Sequence, residues 1–209
     1  MRKRTWVGVI AVAVAVAFAM SGVDGAVAGA SSVETAPVSV QGAPLPPYKG
    51  PTVTDRAIGD TIPTLTGKGF DGLPVTIAPG VKPRVVLFVA HWCPHCQREV
   101  PRIVTLAKKK AFKGLAVSTV ATGTNSGYPN YPPSAWLKRE HWPFPVMVDS
   151  LQQTAAIAYG LPSYPYFVFV DAQGKVAGRA SGETPPSSLK KILTALAAGK
   201  PLPLGSSSS

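Results

Sequence analysis

Residues Arg84–Ala90 (RVVLFVA) are almost wholly β-branched or aromatic, and three residues later comes the pair Cys93 and Cys96. Such a run has no polar face, so it fits a strand covered on both sides. From Cys93 to Lys110, Val100, Ile103, Val104, Leu106 and Ala107 recur at helical spacing. A buried strand running into a helix places Cys93 beside free N–H groups and the positive end of the helix dipole. That setting stabilises a thiolate, the reactive form of cysteine. Pro94 suits an early helical position, where its missing N–H costs nothing. His95 supplies a second, titratable positive partner, and Trp92 covers one side. Pro101 predicts a kink within the helix, and Lys108–Lys110 a solvated end that complements the dipole.

The rest of the middle alternates in the same way. Ile62–Thr66 and Pro74–Ile77 flank a turn-rich Gly67–Gly72 and predict a hairpin. Strands are expected at Leu115–Ala121, Val146–Asp149, Tyr166–Val170 and Val176–Ala180, the last two joined by the turn Asp171–Gly174. Helices are expected at Pro132–Arg139, Leu151–Tyr159 (closed by Gly160) and Pro185–Ala198 (closed by Gly199). The implied class is α/β, a central mixed β-sheet flanked by helices on both faces.

The ends read differently. Arg2-Lys3-Arg4, an uncharged run from Thr5 to Val23 and then Ala26-Val27-Ala28 describe a secretory signal peptide. An uncleaved anchor is the alternative, since the run approaches the roughly 20 residues needed to span a bilayer. No cysteine lies nearby to carry a lipid. Both readings put residues 31–209 outside the cytoplasm, with membrane contact only through the N-terminal segment. Pro37, Pro44, Pro46, Pro47 and Pro51 make 31–55 a semi-extended tether. The domain is expected over 56–199, and 200–209 as a disordered tail. The formal net charge of +11 could suit nucleic acid. The positives are scattered, however, without aromatics between them, so no nucleic-acid partner is expected.

The chemistry centres on His91-Trp92-Cys93-Pro94-His95-Cys96. A purely structural disulfide would close a loop too short to stabilise much. Structural zinc needs four convergent ligands, and beyond His91 and His95 the remaining histidine, His141, is isolated. Copper(I) can be held by two thiolates, so a copper-binding or delivery module stays open. The preceding strand, the following helix and the exported context favour redox use of the pair.

Further on, Tyr159-Gly160-Leu-Pro-Ser-Tyr164-Pro165 leads into an apolar strand. Together with Trp92-Cys93-Pro94-His95-Cys96, then Glu99 and Pro101, and the Asp-x-x-Gly turn, it resembles the TlpA/ResA-like branch of the thioredoxin superfamily, over residues 56–198. The resemblance implies a thioredoxin-like fold and thiol–disulfide oxidoreductase activity on exported protein thiols or disulfides, with a membrane redox partner and no cofactor or metal. It also implies that Cys93 is the exposed attacking thiol and Cys96 the buried resolving one. Pro165 would be the cis-proline beside the pair, with Tyr164 backbone groups and Trp92 meeting the substrate.

Two departures stand out. Pro94-His95 between the cysteines is similar to disulfide oxidants of the DsbA type. The position at which cytoplasmic thioredoxins bury an acid falls on Leu87, leaving no carboxylate there to take a proton from Cys96. Glu99, one turn beyond Cys96, is assigned to surface packing. A Cys93 pKa of roughly 4, within the range of activated thiols, would lie about three units below pH 7. At about 30 mV per unit that moves the couple from thioredoxin's about −270 mV to near −180 mV, a mild oxidant. A thiol peroxidase on the same fold is disfavoured by the missing Thr-x-x-Cys loop. Thr122–Pro145, with Tyr128, Tyr131, Trp136 and Trp142, is read as local aromatic packing, the alternative being a substrate-facing rim.

Overall fold

The computed structural model describes residues 32–204. Among them the order is β1 (Ser39–Gln41), β2 (Thr64–Lys68), β3 (Pro74–Ile77), β4 (Arg84–Val89), α1 (Pro94–Lys108), β5 (Ala116–Ala121), α2 (Pro133–Arg139), β6 (Val146–Val148), α3 (Thr154–Ala158), β7 (Tyr166–Val170), β8 (Val176–Ser181) and α4 (Pro186–Ala197). The strands form one sheet in the order β1-β2-β6-β5-β4-β7-β8, with β3 paired to β2. The strand β4 runs parallel to β5 and antiparallel to β7, so the sheet is mixed.

Two-residue alternation in the central strands separates two cores. Val85, Leu87 and Val89 join Phe167 and Phe169 beneath α1 and α4, with Ile103, Leu189 and Leu193. Val86 and Phe88 join Tyr166 and Val168 on the opposite face, with Ala155, Ala158 and Tyr159. Helices therefore cover both faces, as expected. Each large apolar side chain sealed there contributes about 1.5–3 kcal/mol. The helix α1 continues through Pro101, and Lys108–Lys110 at its end are exposed.

Both segments flanking the expected domain depart from the sequence reading. Residues 31–55 are not a free tether over their described part. β1 pairs antiparallel with β2, and Leu45 and Tyr48 are buried in the second core. The prolines keep the segment extended, but an extended segment still buries apolar side chains and satisfies its backbone. The N–H of Leu45 donates to the Ala158 carbonyl and that of Tyr48 to the Gly160 carbonyl. Arg179, fully covered, clamps the segment by donating to Asp55 through two nitrogens and to the Pro46 carbonyl at 2.8 Å. Likewise Leu202 and Leu204 pack on the first core instead of belonging to a loose tail. Gly178 makes room for them, since a Cβ there would lie 2.0 Å from Leu204.

The third helix is shorter than the expected Leu151–Tyr159. Gln153 sits in the left-handed region (φ 57°), and buried Asp149 takes the N–H groups of Ala155 and Ala156. The signal peptide or membrane anchor expected at 1–30 lies outside the described residues. Among the described residues no helix is long and apolar enough to cross a membrane.

Candidate active site

The strand β4 ends at Val89, and the chain turns through Ala90–Trp92 so that Cys93 is the N-cap of α1, with Pro94 in the first turn. Both cysteines are free thiols. Cys96 is completely buried, whereas Cys93 retains 6% exposure. That is less open than the resemblance implied. The Cys93 Sγ faces the Tyr164 carbonyl at 3.8 Å, and the Tyr164 loop covers its flank. Both cysteines are therefore buried, Cys93 less completely than Cys96, which corrects the expectation of an exposed attacking thiol.

Their electrostatics diverge. The Cys96 thiol donates to the Cys93 sulfur, and against the opposing cost of burial this holds Cys93 down at about 5. The backbone N–H groups of Cys96 and His95 and the charge of His95 act in the same direction. Burial pushes Cys96 far up, reinforced by the bond to Cys93, although the Ala90 N–H donates to its sulfur at 3.5 Å.

His95 is exposed, with Nδ1 2.8 Å from Glu183 Oε1 and 2.9 Å from Arg98 Nη2. A single ring nitrogen serves only one of these contacts. A protonated Nδ1 donates to the carboxylate, the stronger, charge-assisted partner. Glu183, on the loop between β8 and α4, also accepts from Arg98 and Arg102. These bonds, led by that of Arg98, hold its carboxyl down at about 2.

Glu99 corrects the sequence reading. Its side chain is 1% exposed, because the loop leading into α4 closes over it: the Thr184 N–H donates to one oxygen at 3.3 Å and Arg102 to the other at 3.5 Å. Burial raises its carboxyl above the ordinary value, and its charge adds to the upward shift of Cys96. Leu87 is apolar and buried, so the carboxylate near Cys96 comes from the helix. Only the spacing Cys96-x-x-Glu99, one turn on a helical face, could have flagged it.

Trp92 and Tyr164 lie edge to face at 5.7 Å beside Cys93. The Trp92 Nε1–H donates to the Gly123 carbonyl at 2.7 Å, and the Tyr164 hydroxyl to Gln153 at 2.7 Å. The Tyr164–Pro165 bond is cis, as is Tyr131–Pro132. The inserted segment divides. Trp136 is buried in the first core and Trp142 packs against it, as read, whereas Tyr128 and Tyr131 remain 53% and 45% exposed.

The geometry thus brings Trp92, Cys93, Pro94, His95, Cys96, Tyr164 and Pro165 together at one end of a mixed sheet, an arrangement of thioredoxin-like class. The comparisons agree. Residues 57–196 match the Redoxin family, and the chain belongs to it. It is 27% identical over 107 residues to the methylamine utilization protein MauD of Methylobacillus flagellatus, covering 50% of this chain and 51% of that protein. It is 27% identical to a thiol:disulfide interchange protein TxlA homolog of Synechocystis, covering 58% and 53%. Against the thiol:disulfide interchange protein DsbE of Pseudomonas aeruginosa it is 25% identical, covering 70% and 69%. The chain thus spans about half the length of the first two of these relatives. Among solved structures, a thiol:disulfide interchange protein of the thioredoxin family from Chlorobium tepidum is 25% identical, with 66% and 97% coverage and TM-score 0.56. A conserved protein from Geobacillus kaustophilus superposes with TM-score 0.62 over 81% of this chain and 90% of its own, at 21% identity, a likeness of fold.

Proposed function

We propose that this protein is a thiol–disulfide oxidoreductase of the TlpA/ResA-like branch, working outside the cytoplasm by exchanging a Cys93–Cys96 disulfide with protein thiols and disulfides. One observation carries the reading: two sulfurs three residues apart have opposite fates, Cys93 at the edge of the core and held down at about 5, Cys96 sealed and pushed up. Attack and resolution require that division of labour.

In the oxidising direction, a substrate thiolate attacks the Cys93 sulfur of the Cys93–Cys96 disulfide. The S–S bond breaks, a mixed disulfide forms, and Cys96 leaves as a thiolate that takes up a proton. A second substrate thiolate then attacks its partner sulfur and releases the Cys93 thiolate. The substrate loses two electrons and the cysteine pair gains them. In the reverse direction the Cys93 thiolate opens a substrate disulfide and Cys96, once deprotonated, resolves the adduct. Return of the pair to its starting state falls to a membrane redox partner. Pro94 starts the helix without losing a hydrogen bond, and His95 and the first N–H groups stabilise the thiolate. Trp92, Tyr164 and Pro165 border the sulfur where a substrate chain would lie.

Replacing Cys96 by Ser tests this, since mixed disulfides at Cys93 then have no resolving thiol. Covalent adducts with envelope proteins should accumulate, sensitive to dithiothreitol and absent when Cys93 is also changed to Ser. If no adducts form, and the reduced chain instead binds one copper(I) ion tightly without reducing insulin, the copper-binding alternative replaces this reading.

A further inference from the structure

His91, two residues before Cys93, is 1% exposed and makes no contact that the exchange chemistry uses. Its ring lies between backbone groups of the inserted segment: Nδ1 is 2.7 Å from the Pro129 carbonyl, and the Asn125 N–H reaches Nε2 at 3.2 Å. A carbonyl only accepts and an amide N–H only donates, so the ring is neutral, with its hydrogen on Nδ1. Burial lowers its pKa and favours that form. The His91 carbonyl accepts from Asn130 Nδ2 at 3.4 Å, and Trp92 donates to Gly123. Residues 91 and 92 therefore hold the segment 123–130 at four points. Tyr128, fastened by this clasp, sets its half-exposed ring 5.6 Å from that of Trp92, the neighbour of the reactive cysteine.

We propose that His91 is a positioning residue, holding Tyr128 where it contacts an apolar side chain next to the substrate's cysteine. The inference rests on the exchange reading above and adds its substrate preference. A buried histidine bonded through both nitrogens to one loop places that loop, and the aromatic surface it presents lies beside the mouth of the site. Tyr128 is then specificity-determining, and His91 acts through it.

The test uses the full reduced chain and two symmetric disulfide dimers of a short cysteine peptide, one with Phe and one with Gly beside the cysteine. With the reduced chain as the only reductant the reaction is a single turnover, converting one dimer to two peptide thiols while Cys93 and Cys96 become a disulfide. The wild type should favour the Phe dimer about tenfold in the second-order rate constant, the size of one partly buried aromatic contact. Tyr128→Ala should bring that ratio close to one through a higher half-saturating concentration of the Phe dimer in single-turnover kinetics, and His91→Leu should do the same. Combining them should cost no more than either alone, since both remove one contact. His91→Gln, which retains an acceptor for the Asn125 N–H, should give an intermediate ratio. A preference that survives Tyr128→Ala overturns the inference, and because Tyr128 is a surface residue that variant decides even where His91→Leu does not fold. Losses that multiply in the double variant also overturn it. Equal wild-type rates for the two dimers overturn the inference alone, whereas no thiol released from either overturns the exchange reading with it.

Discussion

The thiol of Cys96 donates its hydrogen bond to the sulfur of Cys93, one helical turn earlier at the N-cap of α1. The proton shared along the pair thus resides on the fully sealed sulfur, and the negative charge on the less enclosed one. Alkylation by iodoacetamide should therefore modify Cys93 alone, at a rate that rises through about pH 5 and is flat by pH 7. Because the folded value lies below that of the free thiol, the stabilisation it gives the reduced protein is complete above the unfolded pKa. It is lost as pH falls toward 5. A midpoint above pH 8, or label on Cys96 in the native protein, contradicts the arrangement.

The same shift sets the redox balance. A thiolate at about 5 lies two units below thioredoxin's about 7, which at about 30 mV per unit raises the couple from about −270 to about −210 mV. This is less oxidising than the sequence reading of −180 mV, because burial of Cys93 opposes its stabilisation. Equilibration with glutathione buffers measures it. A value below about −250 mV would mean that the thiolate is not stabilised to this extent.

Arg179 and Asp55 tie the N-terminal segment to β8. Burial alone would raise the Asp55 carboxyl, but the Arg179 hydrogen bonds and charge hold it below the ordinary value. Arg179→Met, which strands that carboxylate, should lower the unfolding free energy in urea by about 3–5 kcal/mol. The pair's contribution should persist at neutral pH and disappear as pH falls through the lowered Asp55 value.

Gly160 closes α3 at φ 67°, and a Cβ there would lie 2.5 Å from the Pro46 carbonyl oxygen. That oxygen is backbone, and the next neighbour, the Arg179 guanidinium at 3.0 Å, is itself held by Asp55 and Pro46. Gly160→Ala should cost about 2 kcal/mol or more. Gly178→Ala meets only the ends of Leu204 and Leu202, and should displace the 201–204 segment at a smaller cost. Thermal unfolding of the two variants separates them.

Local pattern carried much of this protein. The apolar run at 84–90, the helical period after Cys93 and the glycines at 160 and 199 are short-range signals, and each marked its element to within a few residues. The position of Cys93 at a helix start followed from the same signals, because the chemistry of an N-cap depends on the residues immediately around it.

What the sequence left undecided was contact between distant segments. Glu99 became buried only because a loop some 85 residues later closes over it, and a carboxylate's spacing on a helix does not reveal what covers it. His91 and Asn125, or Arg179 and Asp55, meet by tertiary packing, with no local period to announce them. Proline predicts an extended path for residues 31–55, but whether an extended segment lies free or adds a strand depends on the sheet edge it meets. Sequence determines backbone preference and the kinds of groups available. The fold decides which of them lose water together, and burial is what separates the two cysteines, fixes the tautomer of His91 and sets the charge of the site.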